Sequence, residues 1–166
     1  DLPASDAGSI LAIAERLDTL VGGFAAGLQP TGSADPYALR RQAIGLLRIL
    51  KGHTLPGRLS KLVDFAANTL SEQLPNAKEA SKEVLTFLQG RLVQILRGEG
   101  QSRDQVDAVC TPDLIARYPL FQLEQLLKSL QQAVESGLLA GLAYSFKRVN
   151  NILRSAAKKN EVENYK

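Results

Sequence analysis

Nine cations in two groups hold most of the chemistry this sequence could perform. Arg40, Arg41, Arg48 and Lys51 crowd near the end of the first quarter, and Lys147, Arg148, Arg154, Lys158 and Lys159 crowd near the end. Guanidinium and ammonium groups gathered along a helix are what a phosphate backbone attracts. A solvated helix face that meets no ligand is the commoner origin of the same pattern. Lys147, Arg154 and Lys158 fall at i, i+7 and i+11, roughly one stripe, with Asn151 in the i+4 place. Arg41 and Arg48 stand two turns apart. The candidate nucleic-acid contacts are therefore Arg40, Arg41 and Arg48 on one helix, and Lys147, Arg148, Arg154 and Lys158 on another. The net charge is only +3 and the pI about 9.1, so placement carries more information than total.

Other chemistries find less support. The stretch PTGSADPYALRR, residues 30–41, has the Gly and Ser of a phosphate loop but not the Gly-Lys-Ser/Thr ending that such a loop needs. Asp35 would occupy the helix start that follows, and its charge disfavours a phosphate there. Cys110 is the only cysteine and His53 the only histidine, far apart in sequence. A nucleophilic thiol without a nearby base is inert, so Cys110 reads as structural. A lone cysteine also excludes an intrachain disulfide and suits a reducing compartment. No zinc spacing and no paired general acid and base appear, so catalytic and metal-ligating residues are expected to be absent.

The elements that must position these groups are helical. Ile10, Ile13, Leu17, Leu20 and Phe24 recur at three and four, with Ser5 as cap and Gly22-Gly23 weakening the end. Asp35 as cap and Pro36 as first residue predict a second helix from Pro36 to Lys51, burying Leu39, Ala43, Leu46 and Leu50. Leu59, Leu62, Val63, Ala66 and Leu70 mark a third helix. Val84, Leu88, Leu92, Ile95 and Leu96 mark a fourth, ending at Gly98 or Gly100. Ser102 caps a short helix to Val109, and residues 113–118 allow a turn or two between prolines. Leu120, Leu123, Leu126, Leu127 and Leu130 make the next helix. After Gly137 a last one carries Leu142, Phe146, Val149, Leu153 and Ala156, with a basic, amide-rich opposite face. No segment has period two. The expected fold is all-α, an array of six to eight amphipathic helices with short loops, and residues 161–166 are expected to fray.

Apolar residues make up 45% of the 166, enough for a core, yet no run is long enough to span a membrane. No charged segment precedes an apolar stretch at the start, so no signal peptide is expected. The chain contains no Met, which suggests a fragment or processed product.

Residues 2–50, from LPASDAG through AIAERLDTLVGG to PTGSADPYALRR and on to Leu50, resemble a segment of the β subunit of bacterial-type glycyl-tRNA synthetase. AYSFKRVNNILRSA, residues 143–156, is similar to a K-R-V-x-N-I-L helix in the same family. The resemblance implies a division into residues 1–52, the later half of an HD-like helical domain; residues 53–137, a helical body; and residues 138–166, the first helix of an anticodon-binding region. It implies a non-catalytic, tRNA-binding portion of an enzyme that attaches glycine to tRNA-Gly. The ATP and Mg chemistry would then lie on a separate α subunit, with tRNA-Gly and that subunit as partners. The fragment itself would hold no cofactor. The location would be cytoplasmic, or an organelle stroma in a plastid-bearing source.

The HD likeness opens one alternative. AIAERLDTL resembles the helix that supplies the last metal-binding Asp of HD phosphohydrolases, with Glu15 at that position and Asp18 one turn on. One histidine cannot build that centre, so this reading is a degenerate metal-dependent phosphohydrolase. Glu15, Arg16 and Asp18 otherwise read as a solvated or ion-paired face. A further alternative is a structural helical spacer without RNA contacts.

Overall fold

The computed structural model describes residues 2–53 and 55–163, with side chains described through residue 153. The helices are α1 (Asp6–Ala25), α2 (Leu39–Gly52), α3 (Leu59–Leu70), α4 (Ala77–Gly98), α5 (Arg103–Val109), α6 (Pro112–Arg117), α7 (Leu120–Glu135) and α8 (Leu138–Glu163). Among the described residues the one β pairing is an isolated bridge between Thr31 and Ala34. The fold is all-α, as the 3.6-residue periodicity required. Residues 1–127 and 128–166 form two compact units, and residues on both sides of Gly52 share the core of the first.

In the first unit α1 packs against α2, α3 and α4, while α5 lies on α4 and α6 on α3 and α4. Leu20 and Val21 of α1 meet a centre to which α2 gives Leu39, Leu46 and Leu47, α3 gives Val63, and α4 gives Val84 and Leu88, all essentially without exposed surface. Each such burial stabilises by about 1.5–3 kcal/mol before entropy is counted. Phe24 joins them at 5.2 Å from the Phe87 ring, tilted by 55°. The expected stripes hold at their centres and fail at their edges. Ile10 is exposed, because the buried arc of α1 follows Ile13, Leu17, Leu20 and Val21. Leu126 is exposed too, while Leu123 and Leu127 carry the buried line of α7.

The caps follow the chemistry of their residues. The Ser5 hydroxyl accepts from the Gly8 N–H at 3.1 Å, Ser102 caps α5, and Thr111 caps α6 with Pro112 in the first turn. Gly22-Gly23, expected to weaken the end of α1, lies in its last turn. A Cβ on Gly23 would stand 3.1 Å from Leu39, tighter than an ordinary contact, so the bare glycine gives Leu39 room. The chain leaves α1 at Gly27, at φ 73°.

One half-buried cation ties three elements. Lys51, at the end of α2, reaches Glu99 at 2.7 Å and Glu124 at 3.1 Å, with only 11% of its side chain exposed. Glu99 is the C-cap of α4 and Glu124 belongs to α7. Burial alone would lower the Lys51 pKa, but the two carboxylates outweigh it and hold the value above the ordinary 10.5. Lys51 therefore belongs to the scaffold rather than to a free basic surface.

In the second unit Gly137, at φ 74°, turns the chain into α8. The apolar stripe forms as expected, yet Leu142, Phe146, Val149 and Leu153 are all exposed, with nothing among the described residues covering them. The helix runs on to Glu163. Residues 161–163, expected to fray, are thus helical, consistent with the helix-forming run Ala156-Ala157-Lys158-Lys159 before them; residues 164–166 lie outside the described residues.

Replacing Lys51 with Met should lower stability by roughly 1 kcal/mol at pH 8, a value held down by the solvent that screens half-exposed Glu99. Because the folded pKa is raised, the stabilisation is complete below 10.5 and is lost as pH rises through the folded value. Thermal unfolding followed by circular dichroism should show the gap between wild type and Lys51→Met closing above that pH.

Candidate nucleic-acid interface

The loop before α2 is built from its own polar groups. Thr31 and Ala34 exchange two backbone hydrogen bonds of 3.1 and 2.8 Å, and the Ala38 N–H donates to the Asp35 carbonyl at 3.1 Å. The Asp35 carboxylate accepts from the N–H groups of Leu39 at 2.8 Å and Arg40 at 3.0 Å. Asp35 thus caps α2, but from three residues further back than expected. The helix does not start at Pro36, because Ala38 takes φ 54°, a left-handed conformation a helix cannot run through. That turn sends Leu39 into the core and leaves Tyr37 outside, 54% exposed. With a carboxylate on two of its N–H groups, the start of α2 is no phosphate cradle.

The three arginines of α2 divide. Arg40 folds back on the loop, donating to the Gly32 carbonyl at 2.6 Å and to the Ala34 carbonyl at 3.4 Å. Arg41 and Arg48 are exposed, and neither meets a carboxylate among the described residues. Seven residues of helix separate their Cα atoms by about 10.5 Å along the axis. Exposed cations without an ion pair among the described residues also stand at Arg58, Lys61, Lys78 and Lys82. Sequence reasoning passed over these because they are scattered along the chain. On α8, Lys147 and Arg148 are exposed and unpaired among the described residues, beside an exposed Tyr144. The side chains of Arg154 and Lys158 lie outside the described residues.

The groups with other potential chemistry are engaged elsewhere. His53 Nε2 lies 3.1 Å from the hydroxyl of fully buried Ser9, which donates to the Ser5 carbonyl. Glu15 pairs with Arg16 at 3.1 Å, and Arg16 also donates to the Ala12 carbonyl. Gly45 gives Arg16 its room, since a Cβ there would stand 2.7 Å from Nε. Asp18 is exposed. No three His, Cys, Asp or Glu side chains converge among the described residues. Cys110 is buried, and burial first, then the charge of Asp107, pushes its pKa up to about 11 despite the opposing Arg97. Its thiolate is scarce at neutral pH, so the group packs rather than reacts.

Residues 1–111 match the family model described as glycyl-tRNA synthetase beta subunit. Among curated relatives, the glycine–tRNA ligase beta subunit of Syntrophus aciditrophicus is 37% identical over 155 residues, covering 93% of this chain. That of Desulforapulum autotrophicum is 39% identical over 156 residues, covering 94%. That of Lactobacillus gasseri is 35% identical over 164 residues, covering 96%. The chain spans only 22–23% of the length of these relatives.

Urea unfolding at pH 7 should separate the two devices of the α2 loop. Asp35→Ala should cost about 0.5–2 kcal/mol by stripping two N–H groups of their acceptor. Ala38→Gly should leave stability unchanged or raise it by up to about 1 kcal/mol, since glycine takes a left-handed φ without strain.

Proposed function

The chain belongs to the glycyl-tRNA synthetase beta subunit family, and from that premise we propose that it is a tRNA-binding portion of such a subunit with no catalytic site of its own. It supports the attachment of glycine to tRNA-Gly, while ATP, Mg and the bond-making chemistry belong to a separate α subunit. In this reading residues 1–52 are the later half of an HD-like domain, residues 53–137 a helical body, and residues 138–166 the opening helix of an anticodon-binding region. In this reading the enzyme works in the cytoplasm, or in an organelle stroma in a plastid-bearing source. Among the described residues no helix is long and apolar enough to cross a membrane.

The observation that carries the reading is the state of the charges. The fold uses Arg40, Arg97 and Lys51 internally, on carbonyls or carboxylates. It leaves Arg41 and Arg48 on the outer face of a rigid helix, in solvent. Cations held at fixed spacing and not neutralised by the protein are suited to phosphates, whose contacts position a nucleic acid without reading its sequence. Lys147 and Arg148, with Arg154 and Lys158 further along α8, form the second set.

Filter binding of the chain to tRNA-Gly across a salt series tests this. Log affinity should fall linearly with log salt, by roughly 0.7–0.9 per phosphate contact. Arg41→Ala and Arg48→Ala should each reduce that slope by about 1 and weaken binding to any RNA alike. A flat salt response, or charge reversal at both positions without effect, would leave a helical spacer as the better account.

A further inference from the structure

Helix α8 is two-sided in a way that selects its ligand. From residue 138 to residue 160 it contains no Asp or Glu, while Lys147, Arg148, Arg154, Lys158 and Lys159 all fall within it. At about 100° per residue, Phe146, Val149 and Leu153 lie within about 40° of Leu142, forming one apolar stripe. Tyr144 lies about 200° from Leu142, with Lys147 at about 140° and Arg148 at about 240° on either side of it. Tyr144 is 72% exposed and, like the two cations, carries no hydrogen bond or ion pair among the described residues. The face opposite the apolar stripe is exposed among the described residues. An aromatic ring there is not core material, and it stands one helical turn from two unpaired cations.

We propose that Tyr144, Lys147 and Arg148 form a site for an unpaired nucleotide of bound RNA, with the ring stacking on the base and the cations holding the flanking phosphates. The inference rests on the tRNA-binding reading and narrows it to a single-stranded element at this helix face. Base–aromatic stacking tolerates any base, because every base has a π-face, and cations beside the ring supply the backbone contacts. A basic amphipathic helix can also lie on an anionic membrane, but then its aromatic groups serve at the apolar side or its borders. Tyr144 sits at the middle of the polar side, where a membrane-bound helix would hold it in water, so the placement favours RNA.

The test compares the full chain with Tyr144→Ala, Tyr144→Phe and Lys147→Ala. Each is titrated against a single-stranded RNA, a blunt RNA duplex of equal charge, and vesicles rich in phosphatidylserine. Tyr144→Ala should weaken single-strand binding by about 5- to 150-fold, leave duplex binding and the salt slope unchanged, and be rescued by Tyr144→Phe. Lys147→Ala should lower the salt slope by about 1. Circular dichroism should find every variant folded, because the replaced side chains are exposed. Wild-type affinity for single strands in Tyr144→Ala, with Arg41→Ala still weakening tRNA binding, would overturn the stacking site and leave the tRNA reading standing. No RNA binding by the wild type would overturn both, as would vesicle binding that replaces it.

Discussion

Leu20, Val21, Leu39, Leu46, Leu47, Leu59, Val84 and Leu88 exclude water from one centre shared by four helices, and the placement of charge across the first unit depends on that exclusion. Once α1 to α4 have turned their leucine and valine stripes inward, the register of each helix is set, and with it the direction of every polar side chain. On α2 the buried positions Leu39, Ala43, Leu46, Leu47 and Leu50 fix Arg41 and Arg48 outward. Rotating the helix to bury either arginine would withdraw those leucines and strand a charge, a cost of several kcal/mol. The core thus fixes which cations remain for a partner.

The same exclusion explains the internal ionic groups. Lys51 lies where α2, α4 and α7 converge, where burial disfavours its charge, and Glu99 and Glu124 neutralise it. Arg40 is held by two carbonyls of its own loop, while Asp35 occupies the first N–H groups of α2. This loop spends its charges on itself, which is why a stretch with the glycine and serine of a phosphate loop works as a brace. Ala38 adopts its unfavourable φ because Leu39 is anchored in the core just after it.

Period and capping made most of the fold legible in the sequence. Ser5 and Ser102 precede runs of correct period, and side-chain caps form at both; the Thr111 cap of α6 was not read from the sequence. The start of α2 was not legible, because Asp35-Pro36 suits a direct cap and only the anchoring of Leu39 makes Ala38 turn left-handed. Nor was the role of Gly23, whose reason is a side chain on another helix, 16 positions along the chain. Of the candidate site, the two basic clusters could be read as clusters, but the division within them could not. Arg40 and Lys51 look like Arg41 and Arg48 in sequence, and only the positions of Gly32, Glu99 and Glu124 in space distinguish them. Tyr144 stands off the apolar period of its segment, and its place opposite the stripe follows from α8 being one continuous helix.

The central claim is that Arg41, Arg48 and Arg148, which the fold leaves exposed and unpaired among the described residues, meet RNA. Modification by phenylglyoxal, located by mass spectrometry with and without tRNA-Gly, tests it side chain by side chain. The account predicts that tRNA protects Arg41, Arg48 and Arg148, while Arg103 and Arg117, exposed but paired with Asp107 and Asp113, react as before. Equal reactivity of Arg41 and Arg48 with and without tRNA, or protection confined to the paired arginines, would contradict it.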